Sequence, residues 1–200
     1  MRFRHLHRPR AWLAQAMAAR EAVVAIETAI IVPLLCLATL ILVDTVRFIR
    51  TTARVERVAA ITADLIARND KIIDRTDFRT ATLNNELGMF FLIANKAAEP
   101  DDLAGQGQVI VTSITQTTGS VVKNWNPPRT GPYGISEASR IDSLPPLPTS
   151  GAFIVAEVFL RFRSAILETT GLLSPANTMI YRRAVSRPRL AAFETLEPPP

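Results

Sequence analysis

Glu27 is the residue of this chain whose position most needs a chemical explanation. It lies six residues before Pro33 in an otherwise apolar stretch that runs from Val23 to Val43. An ionised carboxylate at the centre of a membrane-spanning helix costs roughly 2.5–3.5 kcal/mol on insertion scales. A charge kept at that cost indicates a role, and in such a helix we expect the role to be assembly with other subunits rather than catalysis.

The residues that usually carry catalysis or bind metals are poorly placed for either. His5 and His7 precede the apolar stretch, and Cys36, the only cysteine, lies within it. An intramolecular disulfide is therefore impossible, and a metal site of the usual Cys/His spacing is excluded. The pair Asp101-Asp102 lies in a glycine-containing turn, where capping is the simpler role, and the phosphate-binding Gly-rich motif is missing. The sequence predicts a protein that is not an enzyme and that uses no cofactor, metal or small-molecule substrate.

The net charge of +5 and the pI near 10.1 raise the question of nucleic-acid binding. The arginines nevertheless cluster on the two sides of the apolar stretch. They are Arg2, Arg4, Arg8, Arg10 and Arg20 before it, and Arg47, Arg50, Arg54 and Arg57 after it. This distribution is typical of the flanks of a membrane helix, so we expect no nucleic-acid partner.

The apolar stretch is long enough to cross a bilayer. At about 1.5 Å per residue, residues 23–43 cover a hydrocarbon core of about 30 Å. The sequence thus predicts a basic cytoplasmic leader over residues 1–22, a transmembrane helix over 23–43 and one domain outside the membrane over 44–200. A cleavable secretory signal is the competing interpretation, although the stretch exceeds the usual apolar core of about 7–15 residues.

Helical periodicity continues beyond Val43. The arginines at 47, 50, 54 and 57 form one stripe, and apolar residues supply other faces as far as a stop at Asn69-Asp70. One helix is therefore predicted from about Val23 to Arg68. Its outer half would be amphipathic, and its apolar face would pack in the core of its own domain, against neighbouring subunits, or both.

The rest of the chain predicts an α+β fold: the long transmembrane and amphipathic helix, a second helix, and an antiparallel sheet of about four strands. The second helix is predicted over Thr76–Ala98. The strands are predicted at Val109–Thr115, Val121–Trp125, Ala152–Phe162 and Ala176–Ser186, with a hairpin turn at Thr118–Ser120.

Two details of this sheet are open to test. The alternation in Ala152–Phe162 leaves one uniformly apolar face toward the helices, and it places Glu157 and Arg161 on the opposite surface in cross-strand ion pairs. Trp125 and Tyr133, beside a proline-rich loop, are expected to pack locally rather than to form a recognition patch.

The N-terminal pattern resembles that of a known family. A basic leader ends in a small residue, four residues later comes a glutamate, and an apolar helix follows with a proline a turn and a half on; here these are Ala22, Glu27 and Pro33. The pattern is similar to the TadE-like pseudopilins of Tad (tight adherence, Flp-type) pilus assembly systems. The segments Ile154–Phe162 and Thr178–Arg189 resemble the closing strands of that family.

The resemblance implies a pilin-like fold and pilin-type handling. A prepilin peptidase would cut between Ala22 and Val23, and Glu27 would attract the free amine of an adjacent subunit. Such leaders usually end in glycine and the glutamate is usually followed by an aromatic residue, whereas this chain has Ala22 and Thr28. If the leader stays intact, Glu27 needs another cation, such as Arg20.

The expected function is that of a minor pilin or pseudopilin-type, non-catalytic subunit in Tad pilus assembly. The expected location is the bacterial inner membrane, in a single pass with the N-terminus in the cytoplasm and the C-terminal domain in the periplasm. The implied partners are the membrane, other Tad pilins, assembly platform proteins and prepilin peptidase. The alternative is a generic signal-anchored periplasmic binding domain with no filament role.

Overall fold

The computed structural model describes residues 9–117, 120–144, 150–164, 179–189 and 193–199. Its helices are α1 (Pro9–Ala67), α2 (Leu87–Ala98) and α3 (Leu103–Gln106), with one 3-10 turn at Ile141–Ser143. Its strands are β1 (Gly107–Thr117), β2 (Ser120–Lys123), β3 (Arg129–Thr130), β4 (Gly151–Arg161) and β5 (Met179–Ser186). The chain divides into two compact units, residues 1–46 and residues 47–200.

The predicted α+β class is confirmed. The strands form one antiparallel sheet in the order β2-β1-β4-β5, and the two-residue β3 also pairs with β1. All four predicted strands exist within a few residues of their predicted bounds, and β3 is an addition inside the proline-rich loop. The hairpin turn residues Thr118 and Gly119, and the first three residues predicted for the last strand, lie outside the described residues.

The outer half of α1 is built into the second unit by one apolar stripe. Its buried residues recur at helical spacing and join side chains of α2, β1, β4 and β5 in one core cluster. From α1 these are Val55, Val58, Ala59, Ala63, Ile66 and Ala67. The helix ends at Ala67, one residue before the predicted end, and the Asn69 side chain donates to the Leu65 carbonyl at 2.8 Å. Its start at Pro9 is earlier than the predicted start near Val23.

The second helix is shorter than predicted, since α2 begins at Leu87 rather than at Thr76. The carboxylate of Glu86, fully buried, accepts hydrogen bonds from the backbone N–H groups of Thr82 (2.8 Å) and Leu83 and from the Arg75 guanidinium at 2.7 Å. These bonds hold the preceding segment in turns. Side chains that compete with helical backbone bonds, such as those of Thr80, Thr82 and Asn84, favour the same outcome.

The sheet face toward the helices agrees with the prediction. Ile154, Ala156, Val158, Leu160 and Phe162 all belong to the main core cluster. This face of β4 therefore anchors the sheet to α1 and α2, as its uniform hydrophobicity indicates.

Glu157 lies on the opposite face of β4, as predicted, but the predicted surface ion pair is wrong. Glu157 is 1% exposed, and its carboxylate accepts hydrogen bonds from the Ser139 hydroxyl, the Arg140 backbone N–H at 2.9 Å and the Tyr181 hydroxyl at 2.9 Å. The reason is that the loop before the 3-10 turn covers this face, where Ile141 packs with residues of β1 and β4. Sequence periodicity within the strand carries no information about a cover supplied by a distant loop.

Trp125 and Tyr133 pack locally, as expected. Trp125 is 2% exposed, and the Tyr133 ring lies against the rings of Phe78 and Phe91 at centroid distances of 5.4 and 6.0 Å. Burial raises the pKa of Tyr133 well above its ordinary value of 10. Burial, followed by the hydrogen bond to Glu157, raises the pKa of Tyr181 to about 12.

These two are the only tyrosines of the chain, so their ionisation can be read directly. In the folded protein, the tyrosinate absorbance near 295 nm should rise only well above pH 10, whereas the chain unfolded in denaturant should titrate near pH 10. Because the folded state favours the neutral phenols, the stability they contribute is complete below pH 10 and declines as the pH rises from 10 toward 12. Identical titration midpoints in the folded and unfolded chains would contradict the described burial.

Replacement of Glu157 tests the cover on the outer face of the sheet. Glu157→Ala leaves the Ser139 hydroxyl, the Arg140 N–H and the Tyr181 hydroxyl, which are only partly shielded from water, without their acceptor. We expect the free energy of unfolding to fall by about 2 kcal/mol, or Tm by about 6 °C for a domain of this size. Glu157→Gln keeps an acceptor oxygen, so its free energy of unfolding should fall less than that of Glu157→Ala. Thermal unfolding of the full chain in detergent, followed by near-UV circular dichroism, measures both, with the exposed Glu194→Ala as the control. An Ala variant as stable as this control would show that the carboxylate does not hold the loop.

Candidate functional sites: the apolar helix and an arginine-lined cleft

The first candidate site is the apolar part of α1. The large aliphatic side chains from Val23 to Val43 are all at least 47% exposed. The most apolar 18-residue segment of the helix has a mean hydropathy of 2.5, and none of it is buried. A helix of this length and composition could cross a membrane. An apolar surface of this extent in water would be strongly unfavourable, so it requires lipid or another protein as its surroundings.

The polar side chains of this helix differ in how they are satisfied. The hydroxyls of Thr28, Thr39 and Thr45 each donate to the carbonyl four residues earlier, at 2.8 Å. Glu27 is exposed and, among the described residues, has no hydrogen-bond or ionic partner. It is therefore the one charged group in the apolar stretch, and the helix itself does not compensate its charge.

The other residues predicted to matter for assembly also lie within the continuous helix α1. Pro33 is inside the helix and lacks the N–H that would donate to the Ala29 carbonyl. The peptide bond between Ala22 and Val23 is helical as well. A peptidase that binds its substrate extended would have to unwind the helix there before cleavage.

The second candidate site is a cleft of about 490 Å³ in the second unit, which the sequence reasoning did not identify. Five arginines and two aspartates contribute its charged lining. The lining residues are Arg47, Arg50, Thr51, Arg54, Pro100, Asp101, Asp102, Gln106, Leu160, Arg161, Phe162 and Arg163. We call this set the arginine cleft.

Helix α1 and the chain at the end of β4 place the arginines together. The spacing of Arg47, Arg50 and Arg54 puts them on one face of α1, while Arg161 ends β4 and Arg163 follows two residues later, on the other side of Phe162. The Phe162 ring packs edge-to-face on Phe48 with centroids 5.2 Å apart. That contact holds the end of β4 beside the arginine stripe of the helix.

The two acids of the cleft are already engaged. Asp101 forms an ion pair with Arg54, and the carboxylate of Asp102 caps α3 by accepting from the Gly105 N–H at 2.9 Å. Among the described residues, Arg50, Arg161 and Arg163 have no ion-pair partner. The cleft is therefore a concave site with an excess of three positive charges, suited to an anion.

From the sequence, the helix arginines were interpreted as a membrane flank and as one stripe of the helix, and Arg161 as a member of a surface ion pair. Their approach to one another could not be predicted, because no local pattern links residue 161 to residue 50. One signal was present: Arg161 and Arg163 bracket the last apolar residue of a buried strand, and so both must point away from the core. The capping role expected in the turn at Asp101-Asp102 is confirmed for Asp102.

Within the described ranges, no group of three or more His, Cys, Asp or Glu side chains is placed to hold a metal ion. Comparison with protein-family models finds no match to this chain, and comparisons with curated proteins and with solved structures likewise find no significant match.

Proposed function

We propose that this chain is a non-catalytic, minor pilin-like subunit of a Tad (Flp-type) pilus assembly system, anchored in the bacterial inner membrane by residues 23–43. The observation that carries the proposal is the exposed apolar part of α1 from Val23 to Val43, which contains one acid, Glu27, without a hydrogen-bond or ionic partner among the described residues. The α+β architecture and the N-terminal pattern around Ala22, Glu27 and Pro33 are in keeping with the family that the sequence resembles.

The proposed mechanism is lateral packing of α1 helices in the membrane. Aliphatic side chains fit against one another in many registers at similar free energy, so they provide association without choosing one register. An acid that must meet a cation in a medium of low dielectric constant strongly favours one register. Cleavage between Ala22 and Val23 would create that cation as the free amine of the neighbouring subunit, and with an intact leader Arg20 would take its place.

In this arrangement the leader lies in the cytoplasm and the second unit in the periplasm. The boundary between the two compact units, at Val46–Arg47, falls just beyond the proposed membrane segment. Within the second unit, one stripe of α1 between Val55 and Ala67 packs in the core with the sheet.

A second candidate function is a signal-anchored periplasmic binding domain without a filament role. The arginine cleft favours it, because a purely structural subunit has no evident need for a concave site in which three arginines lack an ion-pair partner among the described residues. Loss of surface attachment on deletion of the gene supports the pilus role, whereas unchanged attachment supports the binding domain.

Glu27→Ala should leave the protein folded and inserted in the membrane but abolish pilus formation in the native host. The reason is that the variant keeps the apolar surface and loses only the charge that selects the register. Membrane fractionation and electron microscopy of the cell surface measure the two outcomes. Glu56→Ala, which removes an exposed acid from the same helix outside the apolar stretch, is the matched control and should form normal pili. Normal pili in the Glu27→Ala strain would reject the mechanism.

Mass spectrometry of the N-terminus of the membrane-bound protein tests pilin-type processing. We expect a chain that starts at Val23 when prepilin peptidase is present and an intact leader when the peptidase gene is deleted. A chain that starts near Thr39 in both strains would instead indicate removal of an ordinary secretory signal. An intact leader in both strains would indicate an uncleaved membrane anchor without pilin-type processing.

A further inference from the structure

The arginine cleft lies on the part of the chain that directly follows the apolar segment. We propose that it binds the phosphate of an anionic phospholipid headgroup, such as that of phosphatidylglycerol, at the membrane surface. The proposal rests on the membrane anchoring proposed above but not on the role in a pilus.

The charge of the cleft selects an anion. Arg50, Arg161 and Arg163 bring three guanidinium groups without an ion-pair partner in the described part of the chain, while Asp101 and Asp102 are engaged with Arg54 and with the N-terminus of α3. Guanidinium groups stay charged at any physiological pH and match phosphate through paired N–H donors. A phosphate in this cleft would meet donors from both α1 and the end of β4.

The size and the remaining lining of the cleft fit a headgroup. A volume of about 490 Å³ lies within the range of about 300–1,000 Å³ that is usual for small-molecule sites. The apolar side chains of Leu160, Phe162 and Pro100 contribute to the wall, as the carbon atoms of a glycerol backbone require. Thr51 and Gln106 add uncharged hydrogen-bonding groups.

The position of the cleft in the chain favours lipid over an acidic protein segment. Arg47 and Arg50 follow Val43 by four and seven residues, so α1 cannot leave the bilayer without carrying these two arginines close to the headgroup layer. Headgroup layers occupy about 5–8 Å on each side of the hydrocarbon core. An anionic lipid is thus present at high local concentration beside the cleft, whereas an acidic peptide would have to be recruited.

The test uses the full-length chain in nonionic detergent and native mass spectrometry. Short-chain phosphatidylglycerol, short-chain phosphatidylcholine and inorganic phosphate are titrated separately. We expect phosphatidylglycerol to bind more tightly than either of the others. The triple variant R50Q/R161Q/R163Q should bind phosphatidylglycerol about 100-fold more weakly, at about fivefold for each arginine near a lipid surface.

The matched control removes the same charge elsewhere. R57Q/R79Q/R182Q replaces three exposed arginines that do not line the cleft, and it should bind phosphatidylglycerol within about threefold of the unmodified chain. Equal losses of phosphatidylglycerol affinity in both triple variants would show that only the overall charge of the protein matters, and would overturn the proposal. An unchanged affinity in R50Q/R161Q/R163Q would overturn it too, provided that thermal unfolding shows this variant to be folded.

Two further arms identify the source of the anion. Inorganic phosphate that binds as tightly as phosphatidylglycerol would indicate a free-phosphate site and overturn the lipid assignment. An acidic peptide such as octaglutamate that binds the cleft when phosphatidylglycerol does not would assign the cleft to a protein partner and overturn it as well. Membrane fractionation then shows whether R50Q/R161Q/R163Q is still anchored in the membrane. A variant that is anchored but no longer binds the lipid contradicts neither the anchoring nor the proposed function, and its defect lies in the cleft alone.

Discussion

The burial of one stripe of α1 in the core of the second unit is the interaction on which the rest of this structure depends. Val55, Ala59 and Ala63 present a nearly flat surface of small and β-branched side chains, and α2 and the inner face of the sheet pack in the same cluster. The same helix, from Val23 to Val43, exposes all its large aliphatic side chains. One helix therefore has two kinds of surroundings: the protein core around its outer part and, as we propose, lipid around its apolar part.

The hydrophobic pattern was enough to predict the class of fold and most of its elements. The sheet strands and the outer half of α1 each bury a face whose period is visible within the element itself. Where prediction failed, the deciding interaction came from elsewhere in the chain. Glu86 holds the turns before α2 through side-chain bonds to backbone N–H groups, and the loop around Ile141 converts the outer face of β4 into a second small core. Neither interaction produces a periodic hydrophobic pattern in the sequence.

The candidate sites divide in the same way. Glu27 and Pro33 could be singled out from the sequence because their types conflict with an apolar helix, and the structure adds that Glu27 is uncompensated among the described residues. The arginine cleft could not be found this way, because it joins side chains more than one hundred residues apart. An arginine such as Arg50 on an exposed helix indicates no site by itself. Only the fold shows that the contact of Phe162 with Phe48 brings Arg161 and Arg163 to the same cleft.

Buried carboxylates and exposed guanidinium groups also play different parts in this protein. Glu86 and Glu157 are both inaccessible, and each is surrounded by donors that include backbone N–H groups, so these acids hold loops in place. Arg50, Arg161 and Arg163 instead have no carboxylate partner within the part of the chain that the structure describes, which leaves positive charge available for interactions outside the chain.

The threonine hydroxyls of the apolar segment have one more consequence. Because Thr28 and Thr39 donate to carbonyls of their own helix, their hydroxyl protons need no acceptor on a neighbouring helix. Glu27 and the Ala29 carbonyl, which Pro33 leaves without a donor, do need a partner. A helix packed against this segment therefore meets the two groups that still need a polar partner within one helical turn, at Glu27 and Ala29.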